Sequence, residues 1–189
     1  PPRSTLFPYT TLFRSKPYAE HNPEWTIAAA IEFLQMNRGK PFYLHVTPTL
    51  LHGTENSWRR SMDHPRISGE GEMETPPAVM TPRETLLQTL KGQGLDPDGP
   101  EAGEAWIDDA IGAIMKQLAA LGIERDTLLL FAPDHGRDAK GSLFLHNGTR
   151  IPMIARYPAR IPPGTTCEEL VQNIDWVPTC FDLAGPTPP

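Results

Sequence analysis

Cysteine is scarce in this chain: Cys167 and Cys180 are the only two among 189 residues. So few thiols cannot build a disulfide framework or a four-cysteine zinc site. No apolar run approaches the roughly 20 residues that a membrane-crossing helix needs, which excludes a helical span. Basic charge is also short. There are 17 Lys and Arg against 23 Asp and Glu, for a formal net charge of −6. Nucleic-acid binders carry a basic excess, so broad phosphate-backbone binding is excluded as the main role. No internal repeat is evident, which removes the solenoid architectures. What the chain has in excess is proline, 22 residues, where roughly 5% is usual. The length suits one domain able to bury a real core.

Some of the proline sits at the ends: Pro1, Pro2 and Pro8, then Pro186, Pro188 and Pro189. The opening run, residues 1–15 (PPRSTLFPYTTLFRS), has neither helical nor strand period and no initiating Met. It lacks the apolar core of about 7–15 residues that marks a signal peptide. It resembles translated sequencing-adapter sequence. The expectation is a scar foreign to the fold, with the native start of the protein lying upstream; a disordered arm is the alternative. Residues 16–189 are then the part to be read for structure.

From Pro23 the patterning becomes regular. Residues 24–37 place Trp25, Ala28, Ile31 and Leu34 at spacings of three, an apolar helical stripe. Asn22 can cap this helix, Pro23 suits its first turn and Gly39 can end it. Residues 42–46 (FYLHV), aromatic and β-branched between Pro41 and Pro48, predict a buried strand. Residues 53–103 are an irregular excursion rich in Gly, Pro, Ser, Glu and Asp, with one weak helical stretch at 82–91. Such an excursion suggests a site-covering segment, and an interdomain linker is the alternative. Residues 104–121 are the clearest helix, with Ile107, Ile111, Ile114, Leu118 and Leu121 on one face and Gly122 at its end. Residues 127–132 (TLLLFA) read as a central strand covered on both sides. Residues 151–157 read as another strand. Asp175 then caps a helix over 176–184, closed by Gly185. This order predicts an α/β fold around a mostly parallel sheet.

In open α/β sheets, ligands bind beyond the carboxyl ends of the strands. Two such ends carry apt chemistry. After 42–46 comes a loop ending at His52, which could serve as a proton donor or an anion contact near neutral pH. After 127–132 comes Pro133-Asp134-His135-Gly136, whose carboxylate and imidazole suit a divalent cation. Lys140 adds a point charge for an anionic oxygen. Each has a plainer reading: Asp and Gly favour turns, a histidine after a strand is commonly a surface residue, and a lone lysine is commonly a solvated charge. Asp108 and Asp109 are adjacent on a helix and point about 100° apart, so they read as solvated or capping carboxylates. His45 reads as a packed histidine within its strand. His21 and His64 fall in irregular segments. Cys167 and Cys180 read as ordinary thiols.

The order of segments says more than any one of them. The run from Trp106 to Gly136 (WIDDAIGAIMKQLAALGIERDTLLLFAPDHG), Lys140, residues 147–158 (NGTRIPMIARYP), Pro163-Gly164 and residues 173–185 (NIDWVPTCFDLAG) together resemble the sulfatase family of the alkaline-phosphatase-like superfamily. Residues 40–46 (KPFYLHV) with His52 resemble that family's central strand and its histidine. The resemblance implies a three-layer α/β/α sandwich around a mostly parallel sheet. It implies hydrolysis of a sulfate ester, on a sulfated small molecule or glycan, with a divalent metal (calcium first, magnesium second) and a formylglycine nucleophile. It implies Asp134 and His135 as metal ligands. Lys140 would contact the sulfate, and His52 would act at the leaving group or a sulfate oxygen.

The chain also departs from the family. Neither Cys167, Cys180 nor any serine lies in a Cys/Ser-x-Pro/Ala-x-Arg motif, the precursor of formylglycine. The family's N-terminal Asp-Asp metal pair has no counterpart, because Asp108-Asp109 lies mid-helix. The segment near Lys140 carries His146-Asn147-Gly148 where many members carry Glu-Gly-Gly, and Lys140 follows Asp134 unusually closely. The expectation is therefore the middle and later part of a sulfatase catalytic domain, inactive by itself. Two rival readings stand beside it. One is a phosphodiesterase or phosphonate hydrolase of the same superfamily. The other is a non-catalytic binding module that keeps the fold.

Overall fold

A computed structural model describes residues 21–50, 57–68, 71–136 and 146–185. They divide into two compact units, Pro1–Thr127 and Leu128–Pro189. Among the described residues no helix is long and apolar enough to cross a membrane.

The first unit is built on helices. Helix α1 spans Pro23–Met36. As its sequence requires, the Asn22 carboxamide oxygen caps it by accepting from the Trp25 N–H at 2.9 Å, and proline occupies the first turn. Helix α2 (Ser57–Met62) and the antiparallel hairpin β1 (Ile67–Ser68) and β2 (Gly71–Glu72) follow. Helices α3 (Arg83–Gly92) and α4 (Pro100–Ala120) complete the set. The end of α4 is a Schellman turn. Gly122, at φ 69°, donates to the Ala119 carbonyl, and the Ile123 N–H donates to the Leu118 carbonyl.

Helices α1 and α4 pack on each other, and the buried faces are only partly the ones hydropathy selects. On α1 the buried apolar residues are Pro23, Ile27, Ala30 and Leu34, so of the stripe read at Trp25, Ala28, Ile31 and Leu34 only Leu34 is buried and the face is rotated toward Ile27 and Ala30. On α4 they are Ala102, Trp106, Ala110, Ala113 and Leu118, while Ile107, Ile111 and Ile114 stay half-buried. Ile27, Ala110 and Ala113 form one cluster, flanked by Ile31, Val46, Val79, Met80 and Ile114. The cause is steric. Helices approach most closely where side chains are small, so alanine defines the contact although isoleucine is the more apolar residue.

A second cluster joins Trp58, Met62, Leu90, Ala102 and Trp106. The excursion read as irregular, with one weak helical stretch at 82–91, therefore contributes two helices, α2 and α3, a hairpin and part of a core. A charged network lies beside it. The Arg83 guanidinium donates to both carboxylate oxygens of Glu24 at 2.7 Å, and to the carbonyls of Ser61 and Met62. The Trp106 indole N–H donates to Glu24 Oε1 at 3.0 Å, and the guanidinium lies 4.5 Å from the Trp106 ring centre. Bidentate pairing with every guanidinium nitrogen engaged is the condition under which a buried ion pair is tolerated.

Residues 42–46 form no strand ladder among the described residues. Exposure alternates along 41–50, with Phe42, Leu44, Val46, Pro48 and Leu50 half-buried and Tyr43, His45, Thr47 and Thr49 exposed. The period of two is that of a strand, so His45 faces outward and is not the packed histidine expected. The Phe42 ring meets Phe33 of α1 edge-on, centres 6.1 Å apart.

The second unit contains β3 (Leu129–Phe131), α5 (His146–Thr149), β4 (Ile154–Arg156), a 3-10 turn over Asn173–Asp175 and α6 (Trp176–Ala184). Strands β3 and β4 are antiparallel, with Leu130 opposite Ala155. Both ladders among the described residues are antiparallel and two-stranded, so the mostly parallel sheet and its sandwich are not seen in them. Strand β3 is half-buried throughout rather than covered on both faces. Helix α6 has the expected bounds, but Asp175 does not cap it through its side chain. That carboxylate accepts the Gln172 N–H at 2.8 Å instead.

Candidate functional site

The Asp134-His135-Gly136 turn leaves the carboxyl end of β3, where Pro133 removes a backbone donor and ends the ladder. The Asp134 side chain is 89% exposed and that of His135 33%. His135 Nδ1 lies 2.8 Å from the Gly136 carbonyl oxygen, and its Nε2 lies 3.8 Å from Asp134 Oδ2. The Gly136 N–H donates to the Gly148 carbonyl at 3.1 Å, which ties the turn to the α5 segment.

These residues fit part of a divalent-cation site. Metal bonds to carboxylate oxygen or imidazole nitrogen run roughly 2.0–2.6 Å. Two donors 3.8 Å apart can therefore bond the same ion. They fill two positions, whereas calcium takes about 6–8 oxygen ligands and magnesium an octahedral set. Among the described residues no group of three or more His, Cys, Asp and Glu stands together. The turn is thus a corner of a site rather than a closed one. The same pair supports a simpler contact, an ion pair when the imidazole is protonated.

His52 and Lys140 lie outside the described residues. Asp109 is not a solvated carboxylate: its two oxygens accept the N–H of Thr81 at 2.8 Å and the Thr81 hydroxyl at 2.7 Å. It anchors the start of α3 to α4, while Asp108 is exposed. His21, read as lying in an irregular segment, is buried, with Nδ1 2.8 Å from the Thr49 hydroxyl and its backbone N–H donating to the Ser61 hydroxyl. Cys167 is exposed and Cys180 half-buried. What sequence reading missed at the site is the hold of residues 147–148 on Gly136. The one available signal was the Asn-Gly pair, a turn former at close remove.

Comparison with known proteins adds a family. Residues 102–186 match the family model described as Sulfatase. An ulvan-active sulfatase of Formosa agariphila is 30% identical over 84 residues, covering 43% of this chain and 14% of the relative. Arylsulfatase A of Bos taurus is 35% identical over 94 residues, covering 42% of this chain and 18% of the relative. A longer alignment, to another ulvan-active sulfatase match from Formosa agariphila, is 25% identical over 151 residues, covering 79% of this chain and 27% of the relative. The chain thus spans well under a third of the length of these relatives. The family match takes in helix α4 from its third residue, the strand β3, the Asp134-His135-Gly136 turn and helix α6.

Proposed function

With residues 102–186 identified as sulfatase-family sequence, we propose that the protein to which this chain belongs hydrolyses sulfate esters. The substrate is a sulfated small molecule or glycan. The observation that carries the reading is the Asp134-His135-Gly136 turn, set at a strand's carboxyl end inside the matched stretch, with two metal-type donors 3.8 Å apart. In this reading Asp134 and His135 hold a divalent cation, calcium first and magnesium second. A bound cation would supply positive charge against the charge that develops on the ester oxygens. Asp134 contributes an anionic oxygen to that ion and His135 its Nε2. Lys140 contacts a sulfuryl oxygen, and His52 carries a proton at the leaving group or contacts a sulfate oxygen. The architecture proposed for the whole protein is the α/β/α sandwich of the alkaline-phosphatase-like superfamily.

A formylglycine nucleophile belongs to the same proposal, and no residue of this chain fits it, because no Cys/Ser-x-Pro/Ala-x-Arg motif occurs. The 189-residue chain is therefore expected to turn over no ester. Assaying it on an aryl sulfate with calcium checks this: turnover that disappears with Asp134→Ala would overturn the expectation. The activity of the parent protein is tested at its locus. The sequence upstream of Lys16 is expected to encode the nucleophile motif, and an uninterrupted reading frame without it counts against sulfate hydrolysis.

A further inference from the structure

We infer that Gly136 is a positioning residue: it holds the His135 imidazole with Nδ1 protonated and Nε2 free for a cation, and residues 147–148 in turn hold Gly136. The inference rests on the metal reading of this turn. Its first support is the hydrogen bond within the turn. A carbonyl oxygen can only accept, so the 2.8 Å approach of His135 Nδ1 to the Gly136 carbonyl places the proton of a neutral ring on Nδ1. The lone pair then resides on Nε2, the nitrogen that lies 3.8 Å from Asp134 Oδ2. Metal-bound histidines commonly direct their other N–H to a carbonyl in this way, which fixes both tautomer and ring orientation.

The second support is the way Gly136 is itself held. It is buried, and its N–H donates to the Gly148 carbonyl at 3.1 Å. A Cβ built on Gly136 would collide with the Asn147 carbonyl oxygen, and would lie 2.7 Å from the Asn147 carbonyl carbon and 3.0 Å from that of Gly148. These are backbone atoms, which cannot swing aside as a side chain can. Gly136 is not among the glycines with positive φ. Close approach, rather than an unusual dihedral, therefore excludes a side chain here. Any larger residue must push apart the 134–136 turn and the 147–148 backbone, and the His135 hydrogen bond is the part most directly exposed to that shift.

The test uses the full chain labelled with 15N, at about pH 8.5, where an ordinary histidine ring is neutral. Long-range 1H–15N spectra, assigned with His135→Asn, report the tautomer of His135 with no metal added. The expected wild-type signature is Nδ1–H. Gly136→Ala should lose it, and the manganese concentration that half-broadens the His135 signals should rise by roughly 10–100-fold. Gly112→Ala, whose added Cβ meets nothing within 4 Å, should match wild type in both readouts. An Nε2–H signature in wild type, or a Gly136→Ala chain identical to wild type in both, overturns the inference. Manganese broadening that is the same in wild type and Asp134→Ala sinks the metal reading instead, and leaves the tautomer result to decide the part played by Gly136. Should Gly136→Ala fail to fold, wild type alone decides. Nδ1–H together with a Gly136 amide protected from hydrogen exchange supports the inference, whereas Nε2–H or an unprotected amide overturns it.

Discussion

Arg83 and Glu24 meet across 59 positions of sequence with 10% and 8% of their side chains exposed. Removing one member of such a pair leaves a buried charge without its counter-ion. Arg83→Met is expected to cost roughly 3–5 kcal/mol, read as a lower urea midpoint with unchanged slope. Glu24→Gln should cost less, because it retains an oxygen for the Trp106 indole. Asp109→Ala removes the acceptor for both Thr81 donors, and each such bond to a charged group is worth about 1.5–3 kcal/mol. The same denaturation series should show a loss near the lower end, since Thr81 can turn partly to water. The Arg59 guanidinium is held above its ordinary value, chiefly by its hydrogen bond to Asp98. A raised value means that this contribution is fully present below the ordinary guanidinium range and is lost only above it. Ordinary buffers therefore leave it untouched. Residue-scale energetics of this kind had no signature in the sequence, because Glu24 taken alone is an acidic residue in the first turn of a helix, usually a solvated one.

Helix boundaries show the opposite behaviour. Asn22, Pro23, Gly122 and Gly185 marked ends that the structure keeps, because a cap depends on residues within one turn. The Asn22 side chain does more than cap. Its amide also donates to the carbonyls of Pro65 and Ile67, at 3.1 and 2.6 Å, which ties the start of the β1–β2 hairpin to α1. Asn22→Ala is expected to lower stability by more than the usual ~1 kcal/mol of a cap. Asn22→Ser, which can cap but cannot reach those carbonyls, should recover only part of the loss in thermal unfolding. Which face of a helix is buried was legible only in part, at Leu34 and Leu118. The rotation of the α1 and α4 stripes came from Ala110 and Ala113 meeting Ile27, and that depends on which partner arrives. Residues 42–46 are an intermediate case. Their aromatic and β-branched composition pointed to a buried strand, and their exposure alternates as in a strand, but a ladder needs a second strand, and composition cannot say where one lies.

At the scale of the whole molecule the two units differ in how much apolar surface they bury. Every fully buried hydrophobic among the described residues belongs to the first unit, whereas Leu170, Ile174, Val177 and Phe181 in the second are exposed. Local opening follows burial. Amide hydrogen exchange is therefore expected to be slowest in α1 and α4 and markedly faster in α6, and equal protection in the two units would contradict this. Exposed apolar groups at this density also bind hydrophobic dyes. The chain should enhance the fluorescence of such a dye, and Phe181→Ser should reduce the enhancement without altering the melting of the first unit.

The chemistry of the candidate site divides in the same way. Asp134-His135-Gly136 was readable because its residue types and the strand before it are contiguous, and the ordered motifs around it pointed to the sulfatase family that residues 102–186 match. The sequence by itself determined helix ends, the turn that carries two metal-type donors, and the resemblance to the family that residues 102–186 match, since each depends on neighbours along the chain. The tertiary structure alone decided the buried faces of α1 and α4, the Glu24–Arg83–Trp106 network and the closeness of Gly136 to Asn147. The reason is physical: packing and charge pairing depend on distance in space, and a linear pattern holds no record of which distant backbone or side chain will come within a few ångströms.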